Sequence, residues 1–95
     1  MIIEAPYTVN DVVSLKLSSG EELIARLTAE DNTHVTLTKP LTLVATEQGV
    51  AFAPFMFTIS PETKIKVKIN NVTCIVKTAK DAADTYIKQT SGIAV

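Results

Sequence analysis

The chain has no Trp, one Cys, three Gly and few aromatic side chains, two Tyr and three Phe. A single cysteine, Cys74, excludes an internal disulfide and suits a reducing, cytoplasmic setting. With one His and one Cys, the usual zinc donor sets cannot be assembled, so no metal is expected. No apolar run approaches the ~18 residues of a membrane span, and no charged stretch leads into a hydrophobic one at the start. A cell-surface or secreted role is not expected. Charge of neither sign dominates: nine basic and ten acidic residues give a net −1, which excludes the broad basic field of a non-specific duplex-DNA binder. A phosphate-cradling Gly loop and a Ser-His-Asp arrangement are also missing. No enzyme, cofactor or small-molecule substrate is therefore indicated. Internal repeats, low-complexity tracts and linkers are absent too.

What is present is compact and β-prone. The 95 residues fit one domain spanning 1–95. Apolar residues make up 46% of the chain, chiefly Val, Ile, Leu and Ala, and thirteen Thr accompany them. Such residues suit a pleated, half-buried surface. A chain this short buries roughly two-thirds of its unfolded surface, so its own core is thin and oligomerisation is expected.

Residues 1–11, with Pro6 and no helical period, read as an extended arm. Val13, Leu15 and Leu17 then alternate with Ser14 and Lys16, the pattern of a strand with one buried face. Ser18-Ser19-Gly20-Glu21 is a turn, and Leu23, Ala25 and Leu27 alternate with Glu22, Arg26 and Thr28. Glu30 to Thr33 breaks the second strand, and His34 to Thr38 begins a third. Pro40 in its continuation, Leu41 to Thr46, predicts a bulge or an edge. Glu47-Gln48-Gly49 is the next turn. The run 50–59, VAFAPFMFTI, is apolar on both faces, which predicts a strand covered on both sides and bent at Pro54. After a loop at Ser60-Pro61-Glu62-Thr63, Ile65, Val67 and Ile69 alternate with Lys64, Lys66 and Lys68. Asn70-Asn71 reads as a tight turn before a short last strand, Val72 to Val76. Residues 79–91 form the only helical segment, with Thr78 as N-cap, Asp81 in the first turn and Gly92 at its end. Its shared face carries Ala82, Ala83, Tyr86 and Ile87. About five short strands at this spacing predict an all-β barrel or sandwich with a C-terminal helix.

The segment VSLKLSSGEELIARLTAED, residues 13–31, resembles the first signature of the Sm-like proteins (Sm, LSm and Hfq), with Gly20, Leu23, Ala25, Leu27 and Asp31 in register. Lys68-Ile69-Asn70-Asn71 stands where that family carries its second signature, an Arg-Gly-Asn-like turn. The resemblance covers roughly residues 12–77. The loop after Asp31 is one residue short, His34 lies nearest to the place of the base-reading Asn, and Lys68 takes the place of Arg. These departures, and the C-terminal helix, resemble a divergent bacterial or phage-type branch. The resemblance implies a small, strongly bent five-stranded SH3-like barrel over 12–77. It implies a cyclic homo-oligomer of roughly five to eight subunits. Strand four of one subunit would pair with strand five of the next, so Phe52, Phe55 and Phe57 would meet Val72, Cys74 and Val76. An apolar edge strand left unpaired aggregates, so the run 50–59 supports such pairing independently.

Each candidate residue has two readings. His34 stacks on or hydrogen-bonds a nucleobase, or is simply a polar residue at a strand start. Lys68, Asn70 and Asn71 line the same site with charge and amide groups, or form a plain Asn-Asn hairpin turn. Lys64, Lys66 and Lys68 share one face and attract phosphates, or make a solvated strand face. Asp31 has no acid/base partner and hydrogen-bonds the loop backbone; by resemblance it orients the base-reading side chain. Cys74 is expected as a buried, unreactive thiol. The reading that results is an Sm-like ring binding short single-stranded U- or A-rich RNA, in RNA chaperoning or small-RNA regulation. The alternative is an Sm-fold ring without RNA binding that serves as a structural or protein-interaction module.

Overall fold

The computed structural model describes residues 7–91. Strands β1 (Val12–Leu17), β2 (Glu22–Glu30), β3 (His34–Thr46), β4 (Gly49–Pro54) and β5 (Lys64–Lys68) come first. A 3-10 turn over Ile69–Asn71, strand β6 (Val72–Lys77) and helix α1 (Lys80–Thr90) follow. All pairings are antiparallel, in the order β4-β3-β2-β1-β6, with β5 also on β3.

The alternations of β1 and β2 bury one face as expected. Val13, Leu15, Leu17, Leu23, Ala25 and Leu27 join Val35 and Leu37 in the barrel core. Each fully buried Leu contributes about 1.5–3 kcal/mol relative to exposure. Gly20 makes the first hairpin turn at φ 107°, a conformation that costs glycine nothing. The expected bulge lies at Pro40. Thr38 pairs with Arg26 and Leu41 with Ile24, so β3 has two residues, Lys39 and Pro40, opposite one. Lys39 takes φ 51° there. Because strand faces alternate with period two, the extra residue moves Leu41 and Leu43 from the core side to the outer side. There they pack with Val12, Ile24, Phe52 and Tyr86. The small Ala25, fully buried, sits across from this bend.

Helix α1 covers that second cluster. Tyr86 is 0% exposed, and its hydroxyl donates its one proton chiefly to the Lys39 carbonyl (2.8 Å), shared with the Thr38 carbonyl at 3.2 Å. Burial pushes the phenol up to about 12, so the donor proton stays in place. Lys39 Nζ in turn donates to the Thr90 carbonyl at 2.6 Å, one of the orphan acceptors at the helix end. The bend and the helix therefore hold each other.

Six expectations change. The run 50–59 is not one strand: β4 ends at Pro54, and residues 55–63 leave the sheet before β5 resumes on β3. Phe55 turns inward against the barrel core, while Met56 (44%) and Phe57 (82%) stay exposed, so this chain alone does not cover the run on both sides. A proline at the end of a ladder removes the donor that would continue it, and the chain leaves there. The number of strands is accordingly six. Residues 8–11 form a turn rather than an extended arm. Asp11 Oδ2 accepts from the Thr8 amide at 2.9 Å, and Asn10 takes φ 80°. Residues 1–6 and Gly92 lie outside the described residues. Thr78 does not cap α1, whose N-cap is Ala79 without a side-chain bond, because the Thr78 hydroxyl is 2.8 Å from that of Ser14 on β1. Asn70-Asn71 does not close a hairpin: β5 pairs with β3 and β6 with β1, and the 3-10 turn passes between them. Cys74 is exposed, since it points outward from β6, an edge of the sheet.

Candidate nucleic-acid interface

Two connections meet at one end of the barrel. The first is the β2–β3 loop, Asp31 to Thr33; the second is the turn after β5. The Ile69 amide donates to the Thr33 carbonyl at 2.9 Å and ties them together. Asn71 is fixed as well, its carbonyl accepting from the Ser18 amide at 2.8 Å.

The loop is organised by Asp31. Its Oδ1 accepts from the Thr33 amide (2.7 Å), the His34 amide (2.8 Å) and the Thr33 hydroxyl (2.9 Å). These bonds, the Thr33 and His34 amides foremost, lower the carboxyl from 3.8 to about 2. Asp31 thus holds the loop backbone, as its sequence reading anticipates. Above about pH 5 the carboxylate is ionised folded and unfolded, and its contribution is complete. As pH falls below that, the unfolded chain binds the proton first. The contribution shrinks and is gone once the pH drops past about 2, where the folded carboxyl protonates. The Thr33 and His34 amide resonances are expected to titrate together with a midpoint near 2, read by NMR. A midpoint near the ordinary carboxyl value would show that the bonds do not form.

Register decides which residues share a face. Ile69 bonded to Thr33 marks a hydrogen-bonded pair. By alternation Val35↔Val67 is another and His34↔Lys68 is not. In a non-hydrogen-bonded pair the Cα atoms approach to about 4.5 Å and the side chains are closer. His34 and Lys68 therefore stand side by side on the face away from the core. Thr36 opposite Lys66 and Thr38 opposite Lys64 continue the row. The three lysines are exposed, and neither ion pair of the described residues, Lys77–Asp11 at 4.0 Å and Lys80–Asp84 at 2.9 Å, involves them. Asn70 and Asn71 are exposed in the adjoining turn.

The structure thus brings together Asp31, His34, Lys68, Asn70 and Asn71, with Lys64 and Lys66 extending from them. Thr33 belongs with them and was not singled out from the sequence. Its signal is the spacing Asp-x-Thr, in which an acidic oxygen can reach the amide two residues on. The six residues named for a subunit interface divide. Phe52 and Val72 are half-buried in this chain's own clusters, as Phe55 is. Cys74 and Val76 are exposed on β6, and Phe57 is exposed beyond β4.

Among the described residues no group of three His, Cys, Asp or Glu side chains could hold a metal. No helix among them is long and apolar enough to cross a membrane. A groove of about 650 Å³ lies elsewhere, between the end of β4, the 55–63 excursion and the end of α1. Leu41, Phe52, Met56 and Phe57 line it, with Lys39, Glu62, Gln89 and Thr90 among its polar neighbours.

No family model matches this chain, and no curated protein does. Solved structures do. A heptameric archaeal Sm protein is 17% identical, at a TM-score of 0.52, with 75% of this chain and 90% of that one covered. The SmAP1 heptamer of P. aerophilum is likewise 17% identical at 0.52, with 75% and 82% covered. The chain has the Sm fold: a bent antiparallel barrel, here with a C-terminal helix.

Proposed function

We propose that this chain forms an Sm-like ring that binds single-stranded RNA at the His34–Lys68 face. The observation that carries the reading is the pairing of His34 with Lys68 across the β3–β5 ladder, beside a loop braced by Asp31. An imidazole can stack on or hydrogen-bond a base, an ammonium can contact phosphate, and the Asn70 and Asn71 amides can read a base edge. Lys64 and Lys66 add phosphate contacts along the same face.

The ring rests on edges. The outer side of β5 and the outer side of β6 have no partner strand within the described chain. Half-buried Ile65, Val67, Val72 and Ile75 lie along them. The Sm neighbours are heptamers. Head-to-tail pairing of β5 with the next copy's β6 closes a cyclic homo-oligomer of roughly five to eight subunits. A cytoplasmic role without catalysis, in RNA chaperoning or small-RNA regulation through U- or A-rich stretches, follows from this reading. The apolar groove with exposed Met56 and Phe57 favours a second reading, a ring that acts as a protein-interaction module.

The test is native mass together with titration of fluorescent oligo-U and oligo-A at two salt concentrations. Binding that weakens as salt rises is expected. His34→Ala and Lys68→Ala each lower affinity by about tenfold, near 1.4 kcal/mol, and Lys68→Ala also flattens the salt slope by about one phosphate contact. A ring that ignores both oligomers leaves the interaction module as the function.

A further inference from the structure

We propose that Thr33 is a positioning residue that fixes the tautomer of His34 and makes its Nε2 a hydrogen-bond acceptor for a base edge; this rests on the reading of the loop as a base-binding site. The Thr33 hydroxyl carries one proton. The Asp31 carboxylate can only accept, and it takes that proton over 2.9 Å. The hydroxyl oxygen then has only lone pairs to turn toward His34, whose Nδ1 is 2.8 Å away. That contact is a hydrogen bond only when Nδ1 holds the proton. In a neutral imidazole the second nitrogen is then bare. Nε2 has no partner among the described residues, and His34 lies on the outer face beside the Lys68 row.

The chain Asp31–Thr33–His34 is thus a relay of orientation, built from three neighbours in sequence. Its product is an acceptor in place of the donor that the other tautomer would offer. Every nucleobase carries an N–H on its pairing edge, so the acceptor does not choose one base by itself. It rejects an edge from which the donor has been removed. Uracil offers its imide N3–H; N3-methyluracil, of the same stacking surface, offers none. Lys68 beside it supplies the complementary donor.

Two measurements on the full chain decide the matter, both in buffer alkaline enough to keep the imidazole neutral. The first is the nitrogen-15 spectrum of His34 in the native chain, Thr33→Ser and Thr33→Val. Val keeps the shape and loses the hydroxyl, and Ser restores the hydroxyl. The native and Ser forms are expected to show Nδ1 protonated, and the Val form to shift toward Nε2 protonation. A native spectrum with Nε2 protonated, or one unmoved by Thr33→Val, overturns the proposal whether or not RNA binds. The second is affinity for oligouridine and for its N3-methyl counterpart. Thr33→Val and N3-methylation are each expected to weaken binding by about tenfold, with Thr33→Ser near the native value. Oligouridine binding indifferent to both changes overturns the acceptor role, while the RNA reading survives. If no oligomer binds although the spectra shift as expected, the RNA reading fails and the positioning of His34 stands.

Discussion

Tyr86→Ala is expected to cost about 3–5 kcal/mol of folding stability. The ring is fully buried between Val12 and Ile24 of the sheet and is the only buried residue of α1. Removing it opens a cavity and also deletes the hydrogen bond shared between the Thr38 and Lys39 carbonyls. An eleven-residue helix has little stability of its own in water, so α1 unfolds once its anchor is gone. The measurement is urea denaturation with far-UV circular dichroism. A lower midpoint and a loss of helical signal before the barrel melts are expected. Tyr86→Phe separates the contributions: it keeps the packing and loses the hydroxyl, for about 1–2 kcal/mol. A Tyr86→Ala loss below about 1 kcal/mol would mean that the helix is held by something else.

Lys66→Pro is expected to dissociate the proposed ring while leaving the single barrel folded. The Ile69–Thr33 bond and the β3–β5 register set the alternation. The amides of Ile65 and Val67 face β3, and those of Lys64, Lys66 and Lys68 face outward. A proline at Lys66 therefore removes no bond of the β3 ladder. It deletes the donor at the centre of the free edge and puts a ring in the path of an incoming strand. The lost hydrogen bond costs about 0.5–1.5 kcal/mol at each interface and the steric clash adds to it, and a closed ring bears both at every subunit contact. Light scattering is expected to show the mass of one chain, with thermal unfolding still cooperative. Lys66→Ala keeps the amide and is the control that still assembles. Full-mass rings of Lys66→Pro would remove β5 from the interface and leave the exposed Phe57 region to hold subunits together.

The barrel was legible where the signal was local. Leu15 and Leu23 fall on one face because their neighbours alternate, and Gly20 marks the turn between them. Pro40 announces the bulge, yet the flip of Leu41 and Leu43 to the helix side depends on which register wins, a choice made by the partner strand. The break after Pro54 was hidden in an unbroken apolar run. Apolarity says that Phe55 is buried but not that Phe57 two residues on is not. Thr78 reads as a helix cap from its neighbours alone, but Ser14, 64 residues away, takes its hydroxyl. At the candidate interface, Asp31, His34, Lys68 and the two Asn were readable from the family signatures. Thr33 was not, because its part depends on the direction of one proton.

Because the β3 bend is held by groups 47 and 51 residues further along, its shape waits on them during synthesis. At 5–20 residues per second, Thr90 is made about 3–10 s after Lys39. Once Pro54 is made, about 2–7 s of that interval remain in which the hairpin of β3 and β4 can pair while Leu41, Leu43 and Phe52 have no helix over them. A nascent chain thus carries a half-shaped hairpin with uncovered Leu41, Leu43 and Phe52 for seconds.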